Sequence, residues 1–174
     1  MAIVVTQNTS SGNYAEGWHT VEISKAKKGD YNGSGYIDLW FKDFPDSLKC
    51  RVWEARNQEG EEFSVTNLIR YSNPEILEEL PDKDGAAVAK LDDSNEALVG
   101  KQLQVLFYKN AKGYTEVSQK VAPAVEFENV IDKMTIQRIE GIKMSAENYT
   151  VKRIEAAKAK AQSAVDTTDT EVPF

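Results

Sequence analysis

A chain of 174 residues has room for one domain and its appendages, and it carries a single cysteine, Cys50, and a single histidine, His19. These counts exclude an internal disulfide and a cysteine metal site, and they argue against zinc and against a Ser/His or Cys/His nucleophile. The net charge of −7 argues against a polyanionic partner only if it is evenly spread, and it is not. Residues 57–96 hold eleven Asp/Glu against Arg70, Lys83 and Lys90, whereas residues 18–56 hold seven Lys/Arg against six Asp/Glu. Residues 97–125 hold Lys101, Lys109, Lys112 and Lys120 against Glu116. No run approaches the roughly 20 apolar residues of a membrane span, and the apolar start at Met1 to Val5 is too short for a secretory signal. The expectation is a cytoplasmic protein without a membrane partner, a metal, a cofactor or an enzymatic activity.

In chain order, Ile3-Val4-Val5 reads as a loose arm or edge strand. Residues 18–27 alternate in period two, with Val21 and Ile23 on one side and Thr20, Glu22 and Ser24 on the other, which is a half-buried strand. Lys25, Lys27 and Lys28 lead into Gly29-Asp30-Tyr31-Asn32-Gly33-Ser34-Gly35, which reads as a flexible hairpin loop bearing Tyr31. Its glycines have neither P-loop nor dinucleotide spacing and no helix follows, so nucleotide binding is rejected. Residues 36–41 alternate again: Ile37, Leu39 and Phe41 against Tyr36, Asp38 and Trp40. Residues 48–56 do the same, with Leu48, Cys50 and Val52 opposite Lys49, Arg51 and Trp53.

A meander with one aliphatic face buries that face. Its other face then carries Tyr36, Trp40, Lys49, Arg51 and Trp53. Rings interleaved with cations suit single-stranded nucleic acid, because bases stack on the rings and cations meet the phosphates. The alternative puts Trp40 and Trp53 in the core under an acidic helix, since large aromatics are usually mostly buried.

Glu61 to Arg70 reads as a helix, and Pro74 as the start of a second helix running through Glu75-Ile76-Leu77-Glu78-Glu79-Leu80. The glutamates of this region read as a solvated face rather than a carboxylate site. Residues 81–96 read as a polar loop. Leu103, Val105 and Phe107 alternate with Gln104, Leu106 and Tyr108, and Asn110-Ala111-Lys112-Gly113 turns the chain into a strand from Tyr114 to Val121. The predicted fold is therefore mainly β: three strands, a helical insert, then a two-stranded hairpin, the order of a five-stranded OB-fold barrel. Residues 1–145 form the expected domain, in which Val130 to Met144 is a candidate oligomer contact. Residues 146–174 read as a flexible linker and disordered acidic tail, with a marginal Ala/Lys-rich helix at 149–161.

The tail ends Asp166, Asp169, Glu171, Val172, Pro173, Phe174: acidic, with an apolar tip usable as a ligand for other proteins. Glu171-Val172-Pro173-Phe174 resembles the tip of bacterial single-stranded DNA-binding proteins, which typically end Asp-Asp-Ile-Pro-Phe. Thr170 stands where that family has an acid. With the strand order, the whole chain resembles the small OB-fold single-stranded DNA-binding proteins of bacteriophages. That resemblance implies single-stranded DNA on the second and third strands and on the loops joining strands 1–2 and 4–5, and replication or recombination proteins at the tip. The candidate DNA-binding residues are Lys25, Lys27, Lys28, Tyr31, Tyr36, Trp40, Lys49, Arg51, Trp53, Tyr108, Lys112 and Tyr114. The competing expectation is a non-enzymatic small β-barrel that binds protein or serves in a virion.

Overall fold

Strand β1 (Gly17–Tyr31) is the longest strand of the fold and serves two neighbours. The computed structural model describes residues 14–75, 78–83 and 85–170. The N-terminal half of β1 pairs antiparallel with β6 (Gln102–Lys109), from Gly17↔Phe107 to Glu22↔Gln102. Its C-terminal half pairs with β2 (Ser34–Phe41), from Lys25↔Trp40 to Tyr31↔Ser34. The register shifts between Ile23 and Lys25. Such a bulge bends a strand and increases its twist, which lets one strand turn from one partner to the next. β2 continues to β3 (Cys50–Trp53), and β6 to β7 (Thr115–Ala122). The sheet order is β3-β2-β1-β6-β7, all antiparallel.

One side of this sheet is the core. Val21, Ile23, Ile37, Leu39, Phe41, Cys50, Val52, Leu103, Val105 and Phe107 are all buried there, as the alternation predicts. Burying each large aliphatic or aromatic side chain contributes about 1.5–3 kcal/mol. Helix α1 (Ser64–Ser72) closes the core with Leu68 and Ile69. Glu62 starts this helix: its carboxylate accepts the backbone N–H groups of Ser64, Val65 and Thr66 at 2.9–3.1 Å, three donors that helix geometry leaves without partners. Glu62 is thus a helix cap and not part of a solvated acidic face.

The structure corrects four further expectations of the fold. Among the described residues no ladder joins β3 to β7, so the sheet is not a closed barrel. The two edges do approach each other, where the Cys50 thiol donates to the Ser118 carbonyl at 3.2 Å. The predicted flexible loop at 29–35 is strand on both sides of a two-residue turn, Asn32-Gly33, with φ of 51° and 82°. Positive φ at both central positions is the geometry Asn-Gly favours, and it matches the twist of the flanking strands. The helix expected after Pro74 is instead a hairpin of β4 (Glu78–Lys83) and β5 (Ala86–Lys90). Leu80 pairs with Val88 there, so cross-strand partners overrode the helix start. A short α2 (Asn95–Leu98), capped by the Ser94 hydroxyl, then returns the chain to β6.

The fourth correction is at the C-terminus. After the small β8 (Phe127–Glu128) and β9 (Lys133–Met134) pair, α3 (Ile136–Thr170) runs across the expected boundary at 145/146 without a break. Its first part docks on the outward side of the β1–β6–β7 half. Ile139 and Ala146 are buried, Thr150 bonds Ser118, and Glu147 accepts from the Trp18 indole at 2.8 Å. Gly141 is followed by no glycine or proline until Pro173, and the Ala/Lys-rich stretch propagates helix readily once a docked segment has nucleated it. Residues 146–170 are therefore helical rather than a disordered linker. The arm at 1–13 and the tip Glu171-Val172-Pro173-Phe174 lie outside the described residues.

No helix among the described residues is long and apolar enough to cross a membrane.

Candidate nucleic-acid interface

Because α3 covers the β6–β7 half of the outward surface, the β1–β3 half is left to its own side chains. Antiparallel partners share a face, so the register assembles the site directly. Lys25 lies opposite Trp40, Lys27 opposite Asp38, Asp38 opposite Arg51, and Tyr36 opposite Trp53. Both indoles are half-buried and neither belongs to the core.

Each ring has a cation against it. The Lys25 ammonium lies 4.8 Å from the Trp40 centroid and the Lys49 ammonium 5.8 Å from it. The Arg51 guanidinium lies 3.8 Å from the Tyr36 centroid and 5.7 Å from that of Trp53. Tyr36 and Trp53 meet edge to face with centroids 5.1 Å apart. Tyr36 also lies across Gly29: a Cβ there would come within 2.6 Å of its ring. Arg51 above and Gly29 beneath fix this ring, so Trp40 and Trp53 are the better surfaces for a new stacking partner.

Asp38 ties the cations together. It is 5% exposed and accepts from Arg51 at 2.8 and 2.9 Å and from Lys49 at 3.3 Å. Burial alone would raise its pKa, but the hydrogen bonds and charge of Arg51, then of Lys49, hold the carboxyl below its ordinary value. Asp38 in turn raises the Arg51 pKa through the same bonds. The face thus carries Lys25, Lys27, Lys49 and Arg51 against one internal carboxylate, and residues 57–96 contribute no strand to it.

The other expected residues divide. Tyr31 is 65% exposed at the end of β1, beside the Asn32-Gly33 turn. Lys28 points to the other side of β1 and pairs with Asp93 at 3.7 Å, so the structure removes it from the face. Tyr108, Lys112 and Tyr114 sit at the opposite end of β1, where the N–H of Lys109 meets Glu16. Tyr114 is exposed, but the Tyr108 hydroxyl donates to Glu116 at 2.9 Å. Burial and that bond push the Tyr108 phenol up to about 12. None of these three joins the Trp40 cluster. Side-chain positions of Asp166 and Asp169 lie outside the description, and only their helical backbone is placed.

Sequence alternation named the rings and cations but not the role of Asp38. Its position between Tyr36 and Trp40 on the outward side was the available signal. No group of His, Cys, Asp or Glu among the described residues is placed to hold a metal. No family model matches the chain, and no curated protein matches it in sequence.

Proposed function

We propose that this chain is a single-stranded DNA-binding protein of OB type, largely indifferent to base sequence. The strand order β3-β2-β1-β6-β7, with α1 between the third and fourth strands of that sheet, supports the fold reading; β3 and β7 are the edges that a closed barrel would join. The observation that carries the function is the outward side of β1–β3: two half-buried indoles, one 4.8 Å from Lys25 and the other 5.7 Å from Arg51.

A base laid on Trp40 or Trp53 gains about 1–3 kcal/mol from stacking. The cation now beside the ring then shifts to the adjoining phosphate. Each such contact releases a condensed counterion, so affinity falls with salt. Lys27 and the exposed Tyr31 extend the track toward the β1–β2 turn. Stacking of this kind selects no one base, because every base offers a π surface to an indole. Such binding protects unpaired DNA during replication, recombination or repair, here in a bacteriophage setting. Glu171-Val172-Pro173-Phe174, carried at the end of α3, would recruit replication or recombination proteins.

Titration with oligo-dT and oligo-rU at low and high salt tests this reading. Saturable binding of oligo-dT that weakens steeply with salt supports it. No binding at low salt overturns it in favour of a protein-binding β-domain.

A further inference from the structure

We infer that the groove between α1, β7 and α3 is a second contact site for the same polynucleotide, reached over the edge strand β3. The inference rests on the single-strand reading above.

The groove has a volume of about 560 Å³. Phe63, Tyr71 and Tyr149 supply rings, and Lys120 and Arg138 supply charge. In a chain of net charge −7, no Asp or Glu lines it among the described residues. The Lys120 ammonium lies 4.9 Å from the Tyr149 centroid, the same ring-and-cation unit as Lys25 and Trp40. Arg138 is half-exposed: its guanidinium donates to the Lys133 carbonyl at 2.6 Å and lies 4.0 Å from Asp132, whose other carboxylate oxygen is taken by Arg70. Phe63 is 41% exposed. Rings and cations without carboxylates fit a ligand that is aromatic and anionic in one unit, as a nucleotide is.

Continuity with the first face selects a polynucleotide over a free mononucleotide. Among the described residues β3 pairs only with β2, so it is an edge of the sheet. Arg51 and Trp53 lie on its outward side, and Val52, between them, forms part of the groove wall. A strand stacked on Trp53 that crosses this edge enters the groove directly. The site then has two segments, one on the sheet and one between the helices.

Gly141 supplies a clean test. It lines the groove from within α3, and a Cβ built there meets nothing within 4 Å. Gly141→Leu therefore projects an apolar side chain into the groove from a position where its Cβ meets nothing, and it raises helix propensity. Binding is measured with oligo-dT of about four and about sixteen nucleotides, the range one such domain covers. The expected result is unchanged affinity for the short oligomer and a loss of about fivefold or more for the long one. Lys120→Gln should lower the slope of log K against log salt by about 0.7 for the long oligomer alone. If Gly141→Leu leaves both affinities unchanged while Trp53→Ala weakens both, the groove inference fails and the sheet face stands. If the wild-type chain binds neither oligomer, the single-strand reading itself fails. If a peptide of residues 166–174 binds the wild-type groove, and Gly141→Leu abolishes that binding without altering the long oligomer's, the groove is a protein site and the inference is overturned.

Discussion

Asp38 and Arg51, directly opposite each other on β2 and β3, form a two-bond ion pair beneath the aromatic face, at 2.8 and 2.9 Å. The pair holds the guanidinium over Tyr36, 3.8 Å from its centroid, and within reach of Trp53. One carboxylate thereby sets the position of a cation that would otherwise sweep the surface.

Asp38→Asn removes that restraint. Stability should fall by about 1–3 kcal/mol, the cost of losing charge-assisted bonds to a buried group. The face gains a unit of positive charge, so oligo-dT affinity should depend more steeply on salt. The wild-type carboxyl has a folded-state pKa below its unfolded one. Its stabilisation is therefore complete above the unfolded value of about 3.9 and is lost as pH falls through the folded value. Denaturant melts of wild type and Asp38→Asn should converge in that acid range.

Trp40→Ala and Trp53→Ala should each weaken oligo-dT binding by about 1–3 kcal/mol with little change in melting temperature, because neither indole is in the core. Trp18→Phe should do the reverse: it loses the bond to Glu147 that helps seat α3, and binding is unaffected. Parallel thermal melts and titrations separate the two classes.

Gly29→Ala places a methyl within 2.6 Å of the Tyr36 ring. The ring must move, and Arg51 loses its stacking surface. The expected result is a loss of stability with a weaker, less salt-sensitive interaction with oligo-dT, whereas Gly141→Ala, which meets nothing, should be neutral or stabilising.

Glu62→Ala removes the cap of α1 and should cost about 0.5–2 kcal/mol without touching DNA affinity. Burial raises the Glu62 pKa, but backbone bonds from Ala55, Thr66 and Val65 bring it below the ordinary value. This contribution too is present above the unfolded pKa of about 4.3 and disappears on acidification through the folded one. Urea melts at neutral pH and near pH 3 check both statements.

The outward face was legible because period-two alternation separates the two sides of a strand, and in β2 and β3 the sides differ sharply: Ile37, Leu39, Cys50 and Val52 against Tyr36, Trp40, Arg51 and Trp53. The full length of β1 was not, because Gly29, Gly33 and Gly35 in one short run suggest a loop while the decisive signal was the two-residue Asn32-Gly33 turn. Leu80 and Val88 become strand partners through pairing that neither segment shows alone. Ala/Lys composition after Tyr149 suits a helix or a linker equally; the docking of Ile139 and Ala146 on the sheet settles it as helix. The groove could not be read at all. Phe63, Lys120 and Arg138 are far apart in the chain, and only the fold brings them together.

The most direct test of the account uses Trp18→Phe, in which the remaining tryptophans, Trp40 and Trp53, both lie on the proposed face. On titration with oligo-dT at low salt, the account predicts saturable quenching of most of the tryptophan emission, reversed by added salt. Emission that stays unchanged while oligo-dT binds, or a chain that binds no oligo-dT at all, would contradict it.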